Sequence, residues 1–245
     1  MEFDVIGFDA DDTLWQNETL YVGAQEKLKE LLSGYATGET VDGKLFEIEM
    51  RNLPTYGYGI KSFSLSMIET AVDLTGGRID GVDVLKIIGF ARQMLDAPVR
   101  LLDHVEDTLR ALEGAHTLML VTKGDLLDQQ SKLARSSIGD YFRYVEIVSA
   151  KTPETYAELL GKYGVVPQRF LMVGNSLRSD VLPVLALGGK AVYIPYHITW
   201  AHETVDMTSG GQDGEYLEQS NGWYELAHMG QLSQLIDGLR DGLLE

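Results

Sequence analysis

The sequence predicts an α/β fold, a doubly wound parallel sheet with an α-helical domain inserted into it. Short β-rich runs recur along the chain, and three are almost continuously apolar, as expected of parallel strands covered on both faces. Helical patterns alternate with them, which argues for βα units. One long interval breaks the alternation and carries its apolar residues at helical spacing only.

The first strand is expected at Phe3–Phe8. The interval that follows runs from Trp15 to about Val99. Leu28, Leu31 and Leu32 mark one helical stripe in it, Phe63, Met67, Ile68, Ala71 and Leu74 a second, and Val84, Ile87, Ile88, Ala91 and Leu95 a third. Turn material separates the stripes, namely the stretches 54–59 and Gly76-Gly77. Residues 15–99 are therefore expected to form a helical insert, and residues 1–14 and 100–245 the α/β core. Further strands are expected at 117–122, 144–148, 169–173 and 191–194. Helices are expected at 126–135, at 153–163 with Thr152 as N-cap and Pro153 in the first helical position, and at 178–187. Residues 196–221 are polar and Gly-rich and read as a surface loop, with a last helix over 223–239.

The chain has 245 residues, a net charge of −17 and no cysteine. Such acidity argues against non-specific binding to nucleic acid or to an anionic membrane. The lack of thiols excludes disulfides, zinc–thiolate sites and a cysteine nucleophile. The start, MEFDVIGFDADD, has no basic segment ahead of an apolar one, and no stretch approaches the ~20 apolar residues of a membrane span. A cytoplasmic protein is expected.

Four places carry chemistry. Asp9-Ala10-Asp11-Asp12-Thr13 follows the first strand, at the end of a parallel sheet where ligands bind. Two carboxylates there can divide labour, one attacking and the other moving a proton, and together they suit Mg²⁺. The alternative is a polar cap at a strand-to-helix turn, and Asp12 is expected to cap or solvate that turn. Thr122-Lys123-Gly124 ends the second strand and could hold phosphate oxygens, or be an ordinary strand end. Lys151 follows the third strand and could neutralise a carboxylate and a phosphoryl group, or be a solvated lysine. Gly174-Asn175-Ser176-Leu177-Arg178-Ser179-Asp180 follows the fourth, where Asn175 and Asp180 offer oxygen ligands or plain capping. All four places fall just after successive predicted strands, and a doubly wound sheet brings those ends to one edge.

The ordered set Asp9-x-Asp11-x-Thr13, Thr122, Lys151 and Gly174-Asn175-x-x-x-x-Asp180 resembles the haloacid dehalogenase-like hydrolase (HAD) superfamily, and the insert resembles its helical cap of the first type. The resemblance implies a Rossmann-like core and a Mg²⁺-dependent phosphatase for a small phosphorylated metabolite. It implies Asp9 as nucleophile, Asp11 as general acid/base, Thr122 and Lys123 as phosphoryl-binding residues, and Lys151 as holder of both Asp9 and phosphate. Mg²⁺ would be bound by Asp9, the Asp11 carbonyl and Asp180, with Asn175 where many members carry an acid. The usual Gly-Lys-Pro is here Ala150-Lys151-Thr152-Pro153. Asp11 favours phosphoryl transfer over carbon–halogen cleavage, because dehalogenases have no alkoxide to protonate and lack this acid. A phosphomutase would carry the same motifs, and a non-catalytic binder of phosphorylated ligands would share the fold. No nucleic-acid or membrane partner is expected, and the chain is expected to act as a monomer or homodimer.

Some residues are set aside. His197, His202, Glu203 and Asp206 do not complete a zinc spacing. Tyr56, Tyr58 and Lys61 lie in a Gly-rich turn with Arg51 just before it, and read as an exposed inter-helix loop or as residues that a closing cap presents to substrate. Trp15 and Asn17 stand where the chain enters the insert, as hinge, entrance or packing residues.

Overall fold

The structure, a computed structural model, describes residues 2–204 and 222–241. Six parallel strands form one sheet in the order β3-β2-β1-β4-β5-β6, with β1 at Val5–Phe8, β2 at Thr117–Lys123, β3 at Tyr144–Val148, β4 at Phe170–Gly174, β5 at Lys190–Tyr193 and β6 at Trp223–Glu225. β1 and β4 are buried at every position, which explains their unbroken apolar sequence. Phe8 lies level with Leu120 of β2 and Val173 of β4. The residues that follow these strands therefore emerge at one height.

The chain divides into two compact units. One comprises Met1–Gln16, Arg100–Lys123 and Leu133–Glu245, and the other Asn17–Val99 with Gly124–Lys132. The second unit is helical, with α1 (Glu18–Leu32), α2 (Gly38–Tyr56), α3 (Ile60–Leu74) and α4 (Gly81–Asp96). Leu28, Leu32, Val41, Leu45, Phe63, Met67 and Ile87 form its core. Thr37 caps α2 by accepting from Thr40 N–H at 3.3 Å, and Asp80 caps α4 by accepting from Val82 N–H at 2.8 Å. Gly38, Gly43 and Pro54 dilute the apolar pattern of α2 in the sequence, yet Val41, Leu45, Ile48 and Asn52 mark a clean i, i+4, i+7 face. The helix runs through Pro54 to Tyr56, so the expected turn at 54–59 begins three residues late. Gly76 and Gly77 do turn, with φ of 61° and 76°.

In the first unit α5 (Val105–Leu112), unassigned from sequence, precedes β2. α6 (Leu126–Ser136) follows β2, and its N-terminal part groups with the helical unit. α7 (Pro153–Tyr163) starts as expected, with Thr152 Oγ1 accepting from Thr155 N–H at 3.2 Å. The expected helix at 178–187 is a wide π turn over Leu177–Val181 continued by the short α8 (Leu182–Leu185). The expected last helix over 223–239 is two elements. Trp223–Glu225 pairs with β5 as the edge strand, and α9 (Leu232–Arg240) begins seven residues after it. Three strand residues are too few to show a period of two, so the helical spacing downstream masked them. The expected loop at 196–221 lies outside the described residues from 205 on. Among the described residues no helix is long and apolar enough to cross a membrane.

Candidate active site

β1 sits between β2 and β4: the chain steps outward from β1 to β2 and β3 on one side and then crosses to β4, β5 and β6 on the other, so the carboxyl end of β1 is the switch point at which open α/β sheets bind ligands. Asp9 is the first residue beyond β1 there. Its N–H donates to Val173 O at 2.9 Å, which pins the turn to β4. Leu14 N–H donates to Ala10 O at 2.8 Å and Asp12 N–H to Trp15 O at 2.7 Å, closing the loop on itself. Asp12 adopts φ 61°, a left-handed conformation that Asp tolerates better than most residues. It is buried, so it does not solvate the turn as expected. Trp15, also buried, donates its indole N–H to Asp11 Oδ1 at 2.7 Å and so fixes that carboxylate's direction.

Lys151 is no surface lysine, since its side chain is 1% exposed. It donates to Asp9 Oδ1 and, at 2.6 Å, to Asp180 Oδ1. Asp180 Oδ2 accepts from Ser176 N–H at 3.0 Å. Both Asp180 oxygens are thus engaged, one by the lysine and one by the turn that carries Asn175. That packing explains Gly174, where a Cβ would lie 2.2 Å from Asp180 Oδ2. The π turn has a local cause as well. Pro183 has no N–H to give Ser179 O, and that carbonyl instead accepts from the Tyr156 hydroxyl at 3.2 Å.

The Asn175 amide is satisfied with its NH₂ facing Asp9 Oδ2 at 3.2 Å, Thr13 Oγ1 at 3.3 Å and the Asp11 carbonyl at 3.3 Å. Thr13 Oγ1 also donates to Asp9 Oδ2 at 3.2 Å. Rotating the amide would turn its oxygen toward the same oxygens of Asp9 and Asp11. These are hard oxygen donors meeting in one place, which fits Mg²⁺. Among the described residues no group of three His, Cys, Asp or Glu side chains suits a metal. The donor set here is one carboxylate, one backbone carbonyl and one amide, with Asp180 connected to it through Lys151 and the Ser176 turn.

Thr122 is buried at the end of β2, two residues beyond Leu120, the residue level with Phe8. Lys123, read as a phosphoryl-binding residue, is otherwise engaged. It donates to Glu203 Oε1 and, at 2.8 Å, to Ser179 Oγ. Glu203 is therefore part of a hydrogen-bonded network and not only a neighbour of His202. No local motif marks it, because its partners lie 24 to 80 residues away in sequence. His202 packs on Trp200 and His197 on Tyr196. Asp206 lies outside the described residues. In the helical unit, Arg51 pairs with Glu69 at 2.6 Å and Lys61 with Asp125 at 2.8 Å, while Tyr56 is exposed. Asn17 Oδ1 accepts from the buried Lys132 at 2.8 Å.

Charge and burial oppose each other at this site. Burial pushes the Asp9 carboxyl up, against the pull of Lys151, and Asp180 and Asp11 add to the rise, to about 7. Burial also works against the Lys151 charge, but Asp180 and Asp9 hold its ammonium well above the ordinary lysine range. The lysine therefore stays protonated between two acids. Burial would raise Glu203 too, yet Lys123, Ser176 and Ser179 bring it down to about 2.

A sequence model described as haloacid dehalogenase-like hydrolase matches residues 3–188. A crystal structure of a haloacid dehalogenase-like family hydrolase from Xanthomonas campestris superposes with a TM-score of 0.84 at 35% identity, over 98% of this chain and 93% of that one. A glyceraldehyde 3-phosphate phosphatase from Pyrococcus abyssi is 31% identical over 93 residues, which span 36% of this chain and only 39% of that protein. A 2-haloacid dehalogenase from Pseudomonas syringae shares the fold, with a TM-score of 0.61 at 19% identity over 97% and 99% of the two chains. With the sequence match covering most of the chain and the site residues gathered at the sheet's switch point, this protein belongs to the haloacid dehalogenase-like hydrolase family.

Proposed function

We propose that this protein is a Mg²⁺-dependent phosphatase that hydrolyses a small phosphomonoester through an aspartyl-phosphate. The observation that carries the reading is the pair Asp9 and Asp11. Asp9 is held by Lys151 just beyond β1, and Asp11, two residues after Asp9, has its carboxylate directed by the Trp15 indole. In a dehalogenase the second acid would have no alkoxide to protonate.

An Asp9 carboxylate oxygen attacks phosphorus while the bond to the ester oxygen breaks. Asp11 gives its proton to the departing alkoxide. In the second step Asp11 takes a proton from water as that water attacks phosphorus. The Asp9–phosphorus bond then breaks and inorganic phosphate leaves. Lys151 keeps Asp9 oriented and offsets the charge of two anions meeting, and Thr122 offers a hydroxyl beside the phosphoryl group. Asp9, the Asp11 carbonyl, Asp180 and Asn175 would hold Mg²⁺, which supplies charge neutralisation for the transferring group. Residues 15–99 are read as the cap that selects the substrate, a small phosphorylated metabolite, with the protein working as a monomer or homodimer.

The test is release of inorganic phosphate from a chromogenic aryl phosphate, with Mg²⁺ and with chelator, followed by a panel of phosphorylated metabolites. Phosphate release that needs Mg²⁺ and disappears in Asp9→Asn is expected. An isomerised sugar phosphate without phosphate release would mean a mutase. Inertness toward the whole panel would favour a ligand-binding role.

A further inference from the structure

Outside the groups used above, one carboxylate gathers the ends of two central strands. Glu203 follows β5, on a short turn at Ala201–Glu203. Its side chain is 12% exposed. Oε2 accepts from Ser176 Oγ at 2.5 Å and from Ser179 Oγ at 2.6 Å, and Oε1 from Lys123 Nζ. Ser176 is the neighbour of Asn175, Ser179 the neighbour of Asp180, and Lys123 the neighbour of Thr122. The network closes on itself, because Lys123 also reaches Ser179 Oγ at 2.8 Å and Ser176 Oγ accepts from Ser179 N–H at 3.0 Å. Arg178 pins the same segment by donating to His202 O at 3.0 Å.

We propose that Glu203 is a positioning residue for the divalent-cation site: it clamps the 175–180 turn to the end of β2 and so sets where Asn175 stands relative to Asp9 and the Asp11 carbonyl. The inference rests on the phosphatase reading for the cation's role. The physical need is specific. A π turn is an interruption of regular helix, and here the chain that continues it has no N–H to donate at Pro183. A buried carboxylate accepting two hydroxyls and one ammonium supplies charge-assisted bonds that the turn's own backbone does not. Groups that orient ligands in this way typically change metal affinity when removed.

The experiment is a calorimetric Mg²⁺ titration of the purified protein and its variants, with thermal melts in chelator to show that each is folded. Glu203→Gln is expected to weaken Mg²⁺ binding by about 10- to 100-fold. The double variant Ser176→Ala/Ser179→Ala, which keeps the Glu203–Lys123 pair, should weaken it to a similar degree. If the effect came only from freeing the Lys123 charge, Glu203→Gln/Lys123→Gln would recover wild-type affinity, and that recovery would overturn the inference. So would wild-type affinity in a folded Glu203→Gln. Wild-type turnover of the aryl phosphate is the separate reading for the phosphatase assignment, so that a working enzyme with an unaffected Glu203 variant sinks only the clamp.

Discussion

At the scale of single residues, the site turns on atoms with no room to move. Gly174 is required by proximity, since its φ is not among the positive values and a Cβ there would overlap the Asp180 carboxylate. Gly174→Ala should push Asp180 off Lys151 or strain β4. Overpacking of this kind costs about 1–3 kcal/mol, or about 2–4 °C of melting temperature per kcal/mol for a chain of this size. A thermal melt unchanged from wild type would show that the turn yields freely. Asp9, Asp11, Lys151, Asn175 and Asp180 were legible as candidates because each follows a strand and carries a chemistry-bearing side chain, and Thr122 because it stands near the end of one. The sequence did not reveal that Lys123 faces Glu203, since that pair depends on the path of a loop 80 residues further on.

Secondary-structure elements show where periodicity is sufficient and where it is not. β1, β2 and β4 were legible because buried parallel strands are written as apolar runs, while the more exposed β3 and β5 were legible from their Val, Ile and Tyr content. α7 was legible because Thr152-Pro153 is a start signal. β6 was not, being three residues long, and the π turn was not, because apolar spacing over 178–187 reads as one helix even though Pro183 falls inside it. The cost of that turn predicts a measurable dependence on α7. Tyr156→Phe removes the donor that satisfies Ser179 O, and a buried unsatisfied carbonyl costs about 1–3 kcal/mol. Thr152→Ala removes only the cap of the same helix, at about 1 kcal/mol. Urea denaturation should therefore rank Tyr156→Phe at or above Thr152→Ala. The reverse order would mean that Ser179 O finds another donor.

For the whole molecule, the acidic balance leaves carboxylates crowded in the helical unit as well. Glu49, in the helical unit, is pushed up to about 8 by burial, with Glu18 adding to the rise. Its folded-state pKa lies above the ordinary value of 4.5, so the folded state holds a proton that the unfolded state has lost. The resulting stability is fully present below about pH 4.5 and falls as pH rises toward and through 8. Glu49→Gln should flatten that part of the pH–stability curve and raise the melting temperature at pH 9 relative to wild type. Parallel curves for variant and wild type between pH 5 and pH 9 would count against it.

The two backbone crossings at the edge of the sheet-bearing unit carry a last consequence. Gln16 N–H donates to Arg100 O at 3.0 Å, and Leu102 N–H to Leu14 O at 2.9 Å. Entry and exit of an 83-residue excursion, Asn17–Val99, are thus zipped together like the two sides of a hairpin. Joining ends that already touch costs little loop entropy, whatever lies between them. Such a junction is a socket: the module strung between its two sides can be exchanged while the backbone pairing that joins them stays as it is.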